Sequence, residues 1–88
     1  MKIKAGFVRR NVGGNDVVVA VGKASVNFNA MINLNSTGAF IWSLLENEAT
    51  ENEIVSAMIE KYGITEEIAS RDAKAFLDKA RVAGVIEE

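Results

Sequence analysis

The chain has 88 residues, 49% of them hydrophobic and 25% charged, with a formal net charge of −2. That composition fits one ordinary globular domain rather than a disordered tail, a collagen-like repeat or a fibre, and a chain this short buries only about 60–65% of the surface its unfolded form exposes, so nearly all its apolar residues are needed for one core. Cysteine and histidine are both absent, which excludes a disulfide framework, thiolate and imidazole metal sites, and the Ser-His and Cys-His nucleophile pairs.

The opening residues, Met1 to Asp16, carry positive charge but lack the apolar stretch of a signal peptide. The longest aliphatic run, Val17 to Val21, is far short of the roughly 20 residues that span a bilayer. A soluble, cytoplasmic protein with no membrane partner is the expectation. Charge is unevenly spread: residues 1–48 hold five Lys/Arg against three acids, and residues 49–88 hold five against nine. That mild asymmetry disfavours phosphate backbone along the C-terminal half.

The first third reads as strands, because β-branched residues dominate and glycines punctuate them. Phe7 to Val12 is a first strand. Gly13-Gly14-Asn15-Asp16 then tolerates positive φ, so Asp16 to Val21 returns as the second strand of a hairpin. After the turn at Gly22 to Ser25, Phe28, Ala30, Ile32 and Leu34 alternate with Asn27, Asn29, Met31 and Asn33, the period-two signature of a third strand. Its place at the end of a meander predicts an edge with unpaired backbone N–H and C=O groups. The outward amides and Met31 read mainly as a solvated sheet face, and the backbone of the strand as the more serious site.

From Asn35 onward the period becomes about 3.6 residues, predicting three helices. Asn35 or Ser36 caps the first, where Phe40, Ile41, Leu44 and Leu45 form a stripe beside Trp42. Thr50 and Glu53 form a capping box for the second, whose apolar residues run from Ile54 to Tyr62 before Gly63 ends it. Trp42 and Tyr62 are assigned to core packing. Thr65 caps the third helix, Glu66 and Glu67 sit on the positive end of its dipole, and Gly84 closes it before a short extended Val85-Ile86 tail. Strands followed by helices predict a compact α+β domain, winged-helix-like, with a three-stranded antiparallel sheet and then three helices, over residues 1–88.

In the third helix Ala69, Ala73, Phe76, Leu77 and Ala80 share one core-facing arc. Beside it Ile68, Ala75 and Val82 repeat every seven residues on a shoulder more apolar than a solvated flank requires, a candidate wall for a shallow groove. Glu66-Glu67 and Glu87-Glu88 are adjacent carboxylates that diverge rather than converge, so no catalytic residue, metal or cofactor is expected. Arg9 and Arg10 point to opposite faces of a strand. A winged helix also raises DNA binding, but residues 66–81 balance four acids against four cations, which gives little drive for duplex contact and argues for no nucleic-acid partner.

The segment Leu34-Asn35-Ser36-Thr37-Gly38-Ala39-Phe40-Ile41-Trp42 resembles the signature of the PqqD family, in which Leu-Asn and a Thr-Gly or Thr-Ala step open a helix carrying Ile/Leu-Trp. Thr50, Ile54-Val55, Tyr62, Asp72, Phe76-Leu77 and Gly84-Val85-Ile86 follow at the family's spacing, so the resemblance covers nearly the whole chain. Ser36 stands where many members carry Glu, which changes helix-start electrostatics and leaves the core untouched. The resemblance implies a non-catalytic recognition domain that binds the leader of a ribosomally made precursor peptide and presents it to a modifying enzyme, commonly a radical S-adenosylmethionine enzyme.

The leader is expected to add as a strand to Val26, Asn27, Phe28, Asn29, Ala30, Met31, Ile32 and Asn33, which agrees with the edge-strand reading of the residues themselves. The helical wall is expected from among Ile68, Arg71, Lys74, Ala75, Asp78, Lys79 and Val82, with the apolar shoulder and Lys79 favoured. A scaffold that contacts only a larger enzyme is the competing reading, and a homodimer through the same edge would compete with peptide.

Overall fold

The computed structural model describes residues 1–23, 25 and 32–88. The residues between 26 and 31 that the sequence assigns to the third strand, Val26, Asn27, Phe28, Asn29, Ala30 and Met31, therefore lie outside the described residues. A two-residue strand, β1 (Lys2–Ile3), precedes the hairpin of β2 (Phe7–Val12) and β3 (Asn15–Ala20). β4 (Ile32–Leu34) follows, then the helices α1 (Ser36–Leu45), α2 (Glu51–Tyr62) and α3 (Glu66–Ala83), and finally β5 (Ile86–Glu87).

The hairpin register pairs Val12 with Asn15 and Phe7 with Ala20, leaving Gly13-Gly14 as a two-residue loop with φ of +59° and +85°. Positive φ at both loop positions is what a turn matching the right-handed strand twist demands, and it explains the diglycine. The short loop also shifts the second strand one residue earlier than Asp16–Val21. β4 pairs antiparallel with β3, giving a three-stranded antiparallel sheet in the order β2-β3-β4, followed by three helices.

The N-terminal strand is a feature the sequence reading lacks, and it makes the C-terminal tail a strand. β1 and β5 form a separate two-stranded sheet, Lys2 opposite Glu87 and Ile3 opposite Ile86, supplemented by a 3.5 Å ion pair between Lys2 and Glu87. The Lys4 N–H donates to the Val85 carbonyl at 2.8 Å, extending that seam.

Each helix begins where its cap dictates. Asn35 Oδ1 accepts from the Gly38 N–H at 2.7 Å, and Thr65 Oγ1 accepts from the Ile68 N–H at 3.2 Å. At α2 the capping box is complete: the Glu53 N–H donates to Thr50 Oγ1 at 3.1 Å, and the Thr50 N–H donates to Glu53 Oε1 at 2.9 Å. Those bonds from Thr50 hold the Glu53 carboxyl below its ordinary pKa, because they favour the ionised form.

Two apolar clusters make up the core. Ile41, Leu45, Ile54, Met58, Ala73 and Leu77 lock the three helices together, while Val18, Trp42, Ala80 and Val85 join the helices to the sheet. Trp42 is 1% exposed, as its assignment to the core requires. Tyr62 departs from that assignment: it is 37% exposed and stands edge-on to Phe40, with ring centroids 5.7 Å apart and the Lys61 ammonium over both rings. It sits at the last turn of α2, where the end of the helix leaves nothing to cover its outer face. Arg9 lies on the helix side of the sheet and donates to the Ala39 carbonyl at 3.3 Å.

Candidate functional site

β4 is the end strand of its sheet. Ile32 and Leu34 pack against the cluster of Val18 and Trp42, so period-two alternation turns Asn33 to the opposite face. Among the described residues no strand covers the outer side of β4. An edge of this kind presents main-chain donors and acceptors to whatever lies beside it.

Beside that edge runs a groove of about 540 Å³, between β4 and α3. Phe76 forms its apolar floor, with Ile41 and Trp42 buried beneath it, and Asn35, Thr37 and Gly38 close one end at the start of α1. Since the Asn33 side chain points away, its contribution to the groove is main chain. Gly38 suits a close approach: a Cβ there would stand 3.1 Å from Asn35 Oδ1, a tight contact, and 3.4 Å from Phe76 Cε2. The Leu-Asn-x-x-Gly step thus brings the first turn of α1 down onto α3. The motif that carries the family resemblance builds the floor of the groove.

The far wall is α3. Asp72, Ala75 and Lys79 line the groove from successive turns, with Ala80 and Ala83 deeper. Of the residues expected on the helical wall, Ala75 and Lys79 border the groove, whereas Ile68, Arg71, Lys74, Asp78 and Val82 are not among the residues lining it. Helix phase explains the split. At about 100° per residue Lys79, Asp72, Ala83 and Phe76 fall to one side of Ala75, which therefore stands at the rim, while Arg71, Lys74 and Asp78 fall to the other, and the roughly 20° lag of a seven-residue repeat carries Val82 just past that rim. Val82 is 90% exposed on the outer surface.

Ile68 lies one turn before Asp72, at the start of the helix. Asp72, Phe76 and Ala83 are groove residues that the site expectation omitted. Phe76 was assigned to the core-facing arc with Ala69, Ala73, Leu77 and Ala80, and Ala83, three residues after Ala80, lies next to that arc. Asp72, a charged residue on a helix, carried no such signal.

The charges around the groove are largely paired. Arg71 Nε lies 3.6 Å from Asp72 Oδ1, and Arg81 reaches Asp78 at 3.4 Å and Glu88 at 2.7 Å. The hydrogen bond between Arg81 and Glu88 raises the pKa of the guanidinium and lowers that of the carboxyl. Lys79 forms no ion pair within the described residues. Among those residues no group of three or more potential metal ligands converges, and no helix is long and apolar enough to cross a membrane. What the groove offers chemically is a strand edge, an apolar floor and a rim carrying one unpaired cation.

Residues 16–86 match the sequence model of the family described as Coenzyme PQQ synthesis protein D (PqqD). No curated protein matches the chain with significance. Among solved structures, TbiB1 in complex with the TbiA(beta) leader peptide superposes with a TM-score of 0.78 at 26% identity, over 99% of this chain and 95% of that one. Lasso peptide synthetase B1 complexed with its leader peptide superposes with a TM-score of 0.76 at 15% identity, over 99% and 96% of the two chains, a likeness of fold.

Proposed function

This chain belongs to the PqqD family, and from that premise we propose that it binds the leader of a ribosomally made precursor peptide as a strand added to β4 and presents it to a modifying enzyme, by family expectation a radical S-adenosylmethionine enzyme. The observation that carries the reading is the open edge of β4 bordering an apolar groove walled by α3. Main-chain hydrogen bonds to the edge supply affinity that any extended peptide can use, and the groove selects the side chains on one face of that peptide. A leader that is disordered when free loses ordering entropy on docking, so apolar side chains entering the groove must outweigh that loss. The similar fold of TbiB1, solved with a leader peptide, supports leader binding by this chain.

In this reading the domain holds and hands over its peptide, and the sequence contains no histidine or cysteine to serve as base or thiol nucleophile. A DNA-binding role for α3 is disfavoured because two of its cations, Arg71 and Arg81, already face carboxylates.

Titrating labelled protein with the leader of a candidate precursor, with duplex DNA as a parallel control, tests the reading through amide chemical shifts. Shifts concentrated at Ile32, Asn33 and Leu34 and along Asp72 to Lys79 are expected. A spectrum that stays silent with cognate leader, or one in which DNA shifts α3 instead, would overturn it.

A further inference from the structure

We infer that Lys79 makes the groove selective for a leader segment carrying a carboxylate side chain beside its apolar anchors. The inference rests on the peptide-binding reading of the groove and adds the chemistry of the ligand to it.

The charges of α3 are unevenly engaged. The helix carries four cations: Arg71, Lys74, Lys79 and Arg81. Arg71 faces Asp72, and Arg81 is held between Asp78 and Glu88. Lys74 is not among the residues lining the groove. Lys79 alone both borders the groove and has no ion-pair partner among the described residues. The acids nearest to it in sequence, Asp72 and Asp78, are each engaged by an arginine. Among the described residues the cation is therefore unneutralised, and it borders the same groove as Phe76.

A strand laid along β4 alternates its side chains, so every second residue faces the groove. Those inward residues meet Phe76 and the small wall residues Ala75 and Ala83, with Trp42 and Ala80 buried beneath, surfaces that suit large apolar side chains. At the rim the flexible stem of Lys79 covers apolar surface while its ammonium remains in water, within reach of a charged residue of the strand. A carboxylate there gains an ion pair, and a Lys or Arg there meets a like charge. Selection against the wrong strand is as much a part of this as attraction to the right one.

A random library of about 12-residue peptides, displayed and selected in parallel on the wild type and on Lys79→Glu, reads this directly. Position 79 is exposed and in mid-helix, so the variant keeps its fold, checked by circular dichroism. Peptides enriched on the wild type are expected to share alternating large apolar residues with Asp or Glu at one fixed offset from them. On the variant that offset should switch to Lys or Arg.

A synthetic wild-type-selected peptide should bind Lys79→Glu on the order of fivefold more weakly than the wild type, measured through the fluorescence of Trp42, which lies directly beneath the groove. Alternating apolar residues with no charge preference on either protein would overturn the role of Lys79 while leaving the groove reading intact. Enriched peptides with no alternation, or ones whose binding leaves the β4 and α3 amides unshifted, would overturn the groove reading itself.

Discussion

Asn35 and Gly38 form a single working unit at the start of α1: the side-chain oxygen of Asn35 accepts the Gly38 N–H at 2.7 Å, and the absent side chain of Gly38 leaves that oxygen room to do so. Because Asn35 also lines the groove, its cap sets both helix stability and the shape of one end of the site. Asn35→Ala removes the acceptor and should cost about 1 kcal/mol, a fall in Tm of about 4–8 °C in a domain of this size. Asn35→Asp keeps an oxygen at the same place and adds a favourable charge at the helix N-terminus, so it should hold the wild-type Tm. Thermal melts of the two variants decide it, and equal losses in both would mean that the amide N–H₂, rather than the cap, is what matters.

The capping box of α2 makes part of the stability depend on pH. Its bonds to Thr50 lower the folded-state pKa of Glu53 below the unfolded value. A carboxyl with a depressed folded pKa contributes stability that is fully present above its unfolded pKa and is lost as pH falls through the folded one. Glu53→Gln presents a neutral acceptor of the same shape, so the wild type should exceed it in Tm at neutral pH. The gap should close on acidification below the ordinary carboxylate range. Parallel melts of the two proteins from neutral to acid pH check this, and a gap that persists at the acid end would show that it does not come from the ionised carboxylate.

What was legible in the sequence was what is local. The Phe7–Val12 strand, the Thr50–Glu53 box and the Thr65 cap each depend on residues a few positions apart, and each stands where the sequence put it, while the turn at Gly13 proved shorter than the four residues read for it. The pairing of β1 with β5 was not legible, because it joins Ile3 to Ile86 through two-residue strands too short to show any alternation. The groove was half legible. The edge strand and the choice of α3 came from pattern, but the side of α3 that faces β4 depends on helix phase relative to a distant element. There the apolar look of Val82 outweighed the polar look of Asp72, while packing turned Asp72 inward and Val82 out.

That contrast gives the sharpest test of where peptide lies. Ala75 borders the groove and Val82, about 20° further round the helix and two turns on, is 90% exposed and does not line it, yet both stand on the shoulder that the sequence marks as apolar. Introducing the same large ring at each position separates the two surfaces. Ala75→Phe fills the groove from its wall and should weaken leader binding by roughly tenfold or more, since an added strand can no longer seat its inward side chains. Val82→Phe adds the ring to open surface and should leave affinity unchanged. Both positions are exposed on α3, so Tm should move by no more than the roughly 0.5 kcal/mol typical of surface substitutions. Titration through Trp42 fluorescence measures the affinities. The opposite pattern, with Val82→Phe blocking and Ala75→Phe binding normally, would place the peptide on the outer shoulder of α3, away from the open edge of β4.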